Sequence, residues 1–224
     1  MISLYNILTV AKFEAKTLWR SWFFRIFSIL SIAGIGLFDF GALSPVTWAP
    51  WAFQGVPTTI PYMNILMLNV AQAIIAVFLA SDFLKRDRKL DTTEVVYMRS
   101  MTNADYVSGK TLGIMLMFLL LNAVILLIGL VFNLFFSETN FAGIAYLIYP
   151  VIISIPTLIF ILGFAFLMMV TIRNQAVTFI VLLGYIGITL FYLGPKVHNV
   201  FDYIAFNVPM AYSQLAGFAD MGRM

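Results

Sequence analysis

Residues 82–110 read DFLKRDRKLDTTEVVYMRSMTNADYVSGK and hold 11 of the chain's 23 charged side chains. No charged residue occurs from Phe40 to Ser81 or from Thr111 to Ser137. Each uncharged run is long enough to cross the hydrocarbon core of a bilayer, for which a helix needs about 20 apolar residues. The charged segment therefore predicts a water-exposed loop that joins two membrane helices.

The composition is that of an integral membrane protein. The chain is 62% hydrophobic and 10% charged, whereas soluble domains are about 25% charged. It has no cysteine and a single histidine, His198, which excludes disulfides and cysteine or histidine metal clusters. The net charge of +3 indicates no nucleic-acid-binding face. We therefore expect an all-α polytopic membrane protein without a bound metal.

Five transmembrane helices follow from the uncharged runs. The first has Asp39 near one end, and Pro150 and Pro156 predict a kink in the fourth. We expect residues 21–194 to form the membrane domain and the polar tail 195–224 to lie on the outer face. The predicted spans are 22–41, 61–83, 111–135, 144–171 and 175–194.

Up to the fifth span, lysine and arginine occur only in alternate connections, which predicts the orientation. The N-terminal segment, the loop 82–110 and the connection at Arg173 are basic, whereas 42–60 and 136–143 contain neither residue. By the positive-inside rule, the N-terminus and the charged loop lie in the cytoplasm.

Residues 1–20 are predicted to form an amphipathic helix at the membrane interface. A basic stripe follows one side, and aromatic and aliphatic residues occupy most of the remaining surface. The stripe comprises Thr9, Lys12, Lys16 and Arg20, and the apolar surface comprises Ile2, Tyr5, Leu8, Phe13, Leu18 and Trp19.

Residues 104–111, ADYVSGKT, fit a relaxed nucleotide-binding pattern with alanine in place of the first glycine. A phosphate loop needs a buried strand before it, a soluble helix after it, and a small residue where Tyr106 stands. Here charged residues precede the pattern and a membrane helix follows it, so we do not expect this chain to bind ATP. The alternation in 91–101 instead predicts a short amphipathic helix, with Asn103 or Asp105 capping the next helix.

The charged loop resembles that of type-2 ATP-binding-cassette (ABC) transporter permeases. The similarity lies in the run from Asp87 to Glu94, in Arg99-Ser100, and in 105–110, which ends in Gly-Lys before the third span. The amphipathic N-terminal helix, with Glu14 and Arg20, fits the same pattern. Asp91 stands where the family usually has glycine.

This family normally has six spans, whereas the sequence predicts five. We therefore predict that the native polypeptide continues beyond Met224 into a sixth span.

The resemblance implies a permease subunit of an ABC exporter in the bacterial inner membrane. A separate cytoplasmic ATPase would bind and hydrolyse ATP, so this chain would be neither an enzyme nor a cofactor carrier. Residues 91–101 would form a coupling helix that docks on the ATPase. A second permease copy, identical or related, would complete a dimer in the lipid bilayer. The implied ATPase-coupling residues are Arg88, Asp91, Thr93, Glu94, Arg99 and Lys110.

Amide side chains within the spans offer two interpretations. Asn69 and Gln72 lie one turn apart on the second span, and Asn122 lies in the third. Such residues either join helices through hydrogen bonds or line a translocation path.

Other functions fit parts of the pattern. The charged loop could be a solvated hairpin, or it could dock a partner onto a non-transporting membrane anchor or assembly subunit. An intramembrane enzyme would need Ser154, His198 and Asp202 as a triad, but Ser154 lacks the context of a nucleophile elbow.

Overall fold

The computed structural model describes residues 3–43, 58–89, 101–136, 142–172, 174–193 and 196. Regular structure within these ranges is entirely helical, which confirms the predicted all-α class. Five of the helices described there are long and apolar enough to cross a membrane. An amphipathic N-terminal helix precedes them.

The helices occur where the uncharged runs predicted them, and all five spans are confirmed. A π-helical segment at Pro150–Ser154 interrupts the fourth span, and another at Thr189–Leu193 ends the fifth. The helices are α1 (Leu4–Arg20), α2 (Trp22–Leu43), α3 (Thr59–Lys89), α4 (Asn103–Phe136), α5 (Gly143–Ile172) and α6 (Gln175–Leu193).

Two helices extend into the charged segment. Residues 82–89, expected in the loop, continue α3, and α4 begins at Asn103. Most of the predicted docking helix, 91–100, lies outside the described residues. The expected end of the second span near residue 83 was wrong because charge ends a hydrophobic run without ending a helix, whose backbone is hydrogen-bonded internally in water as in lipid. The start of α4 agrees with the helix predicted to lead from Asn103 or Asp105 into the third span.

The lengths of these helices exceed the thickness of a bilayer. With 31 and 34 residues, α3 and α4 are about 46 and 51 Å long at about 1.5 Å per residue. The hydrocarbon core is about 30 Å thick. Both helices therefore project well beyond it where α3 ends and α4 begins, which we call the charged end of the bundle.

The fourth span contains a π-helical segment where its prolines predicted a kink. The Ile155 N–H donates to the Pro150 carbonyl, a bond that spans one residue more than an α-helical bond. Pro156 follows Ile155 and has no N–H to donate. The change from α-helical to π-helical hydrogen bonding at this point therefore loses few backbone bonds. Ser154 lies in this segment, and it is fully buried.

α3 is the central helix, and it contacts α2, α4, α5 and α6. Ala73, Ala76 and Val77 are fully buried on it, because small side chains let neighbouring helices approach closely. α2 is held against α4 by Phe24, whose ring meets the Phe118 ring edge to face at 5.7 Å between centroids.

α1 packs along the first turns of α4, and the two helices run in the same direction. Ser3 pairs with Asp105, and α1 then passes Gly109 and Gly113. A β-carbon added at Gly109 would lie 2.6 Å from Val10 Cβ, and one at Gly113 would lie 2.7 Å from the Ala11 carbonyl oxygen. Gly109 and Gly113 thus form a GxxxG pair that allows direct backbone contact.

The amphipathic α1 has a third face that its sequence pattern did not indicate. Lys12, Lys16 and Arg20 are exposed, as are Leu8 and Trp19. A buried face made of Ala11, Glu14 and Leu18 lies against α4. Leu18 was assigned to the lipid-facing surface. That assignment was wrong because the glycines of α4 allow this side of α1 to pack closely against α4.

Replacing Gly113 with alanine tests this close approach. The new methyl group would press on the Ala11 backbone, so we expect Gly113→Ala to destabilise the fold by about 1–3 kcal/mol, as overpacking does. The matched control is Gly163→Ala in α5, where an added β-carbon meets nothing within 4 Å.

The control should leave stability unchanged or raise it slightly, since alanine favours helix over glycine. Thermal unfolding midpoints in detergent measure both variants. Equal midpoints for the two alanine variants would contradict the packing described here.

Candidate functional site: a buried polar network and the base of the charged segment

A polar network crosses the interior of the bundle. Asn69 and Gln72 of α3, Asn122 of α4, and Ser154 and Thr157 of α5 are all buried, with no more than 1% of any of them exposed. Asn122 lies near the middle of the uncharged run 111–137, which places the network at mid-span. The predicted amide residues are therefore brought together, along with two hydroxyl residues that the sequence had not linked to them.

The five side chains form one continuous chain of hydrogen bonds. Ser154 Oγ donates to Asn122 Oδ1 at 2.8 Å, and Asn122 Nδ2 donates to Gln72 Oε1 at 3.0 Å. Gln72 Nε2 then donates to Asn69 Oδ1 at 2.7 Å, and Asn69 Nδ2 donates to Thr157 Oγ1 at 3.0 Å. The chain starts and ends on α5 and passes through both α4 and α3.

Every side-chain nitrogen and oxygen of the network has a hydrogen-bond partner. Unpaired polar groups are costly in hydrocarbon, so a satisfied network joins three helices with little penalty. This geometry favours helix packing over a translocation path. That the amides line a path remains a prediction.

An apolar groove opens beside the network between α4 and α5. It has a volume of about 380 Å³, and Asn122 is part of its lining, together with Leu126, Leu130, Leu147 and Pro150 among others. A second groove, of about 290 Å³, lies along α4 and is lined by apolar residues alone. Both surfaces suit hydrocarbon chains better than polar solutes.

A buried ion pair joins α1 to α4 at the last residue of the charged segment. The Lys110 ammonium lies 3.3 Å from Glu14 Oε1, and the two side chains are only 5% and 4% exposed. The same ammonium lies 4.8 Å from the centre of the Tyr106 ring, one helical turn earlier. Lys110 is therefore turned into the fold, where it pairs with Glu14. Its ATPase-coupling role stays a prediction.

A second tie joins the start of α4 to the start of α1. Thr102 Oγ1 accepts from the Asp105 N–H at 3.1 Å, and Asp105 Oδ2 accepts from the Thr102 N–H at 3.1 Å. This is a capping box with Thr102 as the cap, where Asn103 or Asp105 had been expected. Asp105 Oδ1 also accepts from the Ser3 N–H at 3.0 Å, so one carboxylate holds both helix ends.

The remaining predicted coupling residues are not brought into a described site. Arg88 falls within α3, one residue before its end at Lys89. Asp91, Thr93, Glu94 and Arg99 lie outside the described residues, as do the proposed triad members His198 and Asp202.

The apparent nucleotide-binding pattern does not form a phosphate loop. Residues 104–111 are continuous α-helix, so their amides take part in helix formation and do not converge on an anion. Gly109 serves as a contact for α1 within this helix.

Two further polar contacts were not predicted. Asn133 Nδ2 donates to the Tyr146 hydroxyl at 3.0 Å, joining α4 to α5. Asn64 Nδ2 donates to Asp39 Oδ2 at 2.8 Å, joining α3 to α2. An acidic residue inside an apolar run was the available signal for the second contact, although its partner could not be inferred from spacing.

Removing the Ser154 hydroxyl tests whether the network holds the helices together. Ser154→Ala leaves Asn122 Oδ1 without this donor, so we expect a loss of about 1 kcal/mol, since such bonds in membranes are worth about 0.6–1.7 kcal/mol. The matched control is Ser28→Ala, because Ser28 Oγ donates only within its own helix, to the Phe24 carbonyl.

The control should have almost no effect. The free energy of unfolding, measured by denaturant titration in mixed micelles, compares the two variants. A loss at position 28 as large as that at 154 would show that the network adds nothing beyond a local helix bond.

Comparison with known proteins returns no match. No protein-family model, curated protein or solved structure matches this chain. Proposals about its function therefore depend on the residues and contacts described above.

Proposed function

We propose that this chain is the membrane permease subunit of an ABC exporter, driven by a separate cytoplasmic ATPase. The proposal places the N-terminus and the charged end in the cytoplasm of a bacterium, with the helices in its inner membrane. One structural observation carries it: α3 and α4 extend beyond their apolar runs into the charged segment, and the start of α4 is fastened to α1 by buried contacts. The resemblance of residues 87–110 to the loop of type-2 permeases supplies the transporter class.

The contacts suggest how force would pass from the ATPase to the membrane. A partner that docks on 91–101 pulls on the start of α4, where Asp105 holds α1 and α4 together. The Lys110–Glu14 pair and the GxxxG contact then make α1 move with α4. Because α4 is a continuous helix, the displacement reaches Asn122 and shifts its packing against α3 and α5.

The proposed assembly contains two permease copies, either identical or related, and an ATP-binding subunit for each. ATP stays on the partner. The apolar groove beside Asn122 favours a substrate with hydrocarbon character over a small ion.

A membrane anchor or assembly subunit is the second candidate. The observation that favours it is the complete satisfaction of the mid-span network, which leaves none of those amides free to bind a polar solute. An anchor would dock its partner through the same charged segment without changing helix packing.

Charge reversal in the charged segment tests the proposed docking. Glu94→Lys combined with Arg99→Glu keeps the net charge but inverts the local pattern, so we expect several-fold weaker co-purification of a cytoplasmic ATPase. Membrane insertion should be unaffected. The control is Lys16→Glu, which reverses an exposed charge on α1, outside residues 91–101.

Capture of the ATPase that is equal in the double variant and in wild type would support the solvated hairpin instead. If the ATPase is captured but ATP does not alter the packing of α4 against α3 and α5, the anchor function is favoured. Cross-linking from an introduced cysteine reports that packing cleanly, because the chain has no cysteine of its own.

A further inference from the structure

Asp39 lies fully buried where α2, α3 and α4 meet, toward the end of the bundle opposite the charged end. Neither its side chain nor that of Asn64 has any exposed surface. Gly129 of α4 completes the contact, because a β-carbon there would lie 2.6 Å from Asn64 Nδ2 and 3.5 Å from Asp39 Oδ2. The helices thus close tightly around an acid and an amide.

The two side chains are joined by one hydrogen bond where their groups can form two. Asn64 Nδ2 donates to Asp39 Oδ2 at 2.8 Å. Asp39 Oδ1 and Asn64 Oδ1 are both buried and have no hydrogen-bond partner. Two acceptor oxygens are therefore enclosed without a donor, which is costly in a low-dielectric interior.

No basic side chain is available to neutralise an ionised Asp39 from the helices packed around it. The sequence contains no lysine, arginine or histidine between Arg25 and Lys85 or between Lys110 and Arg173. Arg25 belongs to the other end of α2, where its Nε donates to the Trp19 carbonyl.

Other titratable groups near this end of the bundle are already engaged. The Tyr146 hydroxyl on α5 accepts from Asn133, and the Lys196 ammonium lies 4.0 Å from the centre of the Tyr192 ring. A bare carboxylate at Asp39 would thus lack both a counter-charge and a second donor among the described residues.

We propose that Asp39 and Asn64 form a proton-binding site, with the proton on Asp39 Oδ1 and donated to Asn64 Oδ1. A carboxylic acid and a primary amide pair through two parallel bonds, one N–H to O and one O–H to O. The first bond is present, and the two oxygens that the second would join are the two that lack partners. One proton makes the pair neutral and supplies the missing donor.

A proton suits this site better than a metal ion. Calcium and magnesium take six or more oxygen ligands, whereas two free oxygens are present here. The proposal does not depend on the transport function, because it concerns the protonation of a helix contact remote from the charged segment. It predicts that Asp39 remains in its acid form in the membrane at neutral pH.

Infrared spectroscopy of the full chain in lipid nanodiscs tests the site. We expect wild-type protein at neutral pH to show a carboxylic acid C=O stretch that shifts when its aspartates are labelled with ¹³C at the side-chain carboxyl. The isosteric variant Asp39→Asn should lack that band, and Asn64→Leu should move it to higher frequency because the acid loses its acceptor.

The matched control is Asp105→Asn, because Asp105 accepts hydrogen bonds from backbone N–H groups and should be ionised. This control should lose intensity from the carboxylate band and keep the acid band. Absence of a label-sensitive acid band in wild type would overturn the proposal without any variant needing to fold. Persistence of that band in Asp39→Asn would overturn it as well.

Discussion

The ion pair between Glu14 and Lys110 is the interaction on which the arrangement of the charged end depends. Both side chains are almost fully buried, so neither charge can be left without the other. The pair forms only because Gly109 and Gly113 bring the α1 backbone against α4. α1 is thereby held along the projecting part of α4 and becomes a structural part of the charged segment's base.

A second constraint acts at mid-span, where hydrocarbon offers polar groups no alternative partner. Asn122 satisfies this constraint through hydrogen bonds to α3 on one side and to α5 on the other. α4 therefore carries the ion pair near one end and the network at its middle, on a single uninterrupted helix. A displacement of the charged segment would reach the interior through this helix, and the π-helical segment at Pro150–Ser154 is the adjacent element with irregular backbone.

The sequence predicted the class, the five spans and the amides of the mid-span network, because charge, apolar length and buried polar groups are directly constrained by the bilayer. It did not indicate Asn64, the partner of Asp39. It did not predict that α3 continues to Lys89, since a helix outlasts its hydrophobic run. The partners of Asn122 were equally hidden, because spacing along the sequence does not show which residues of other helices it meets. One of them, Ser154, lies in the π-helical segment. The burial of Lys110 was not predicted either, because it depends on the close approach of α1 at Gly109 and Gly113.

The central claim is that the Glu14–Lys110 pair fastens α1 to the charged segment, and a charge exchange tests it most directly. Thermal unfolding in detergent would compare Glu14→Lys, Lys110→Glu and the double exchange with wild type. Each single reversal buries two like charges, so we predict losses of at least about 3–5 kcal/mol, the usual cost of breaking a buried pair. The double exchange should recover most of that stability. A double variant no more stable than the worse single variant would contradict the claim.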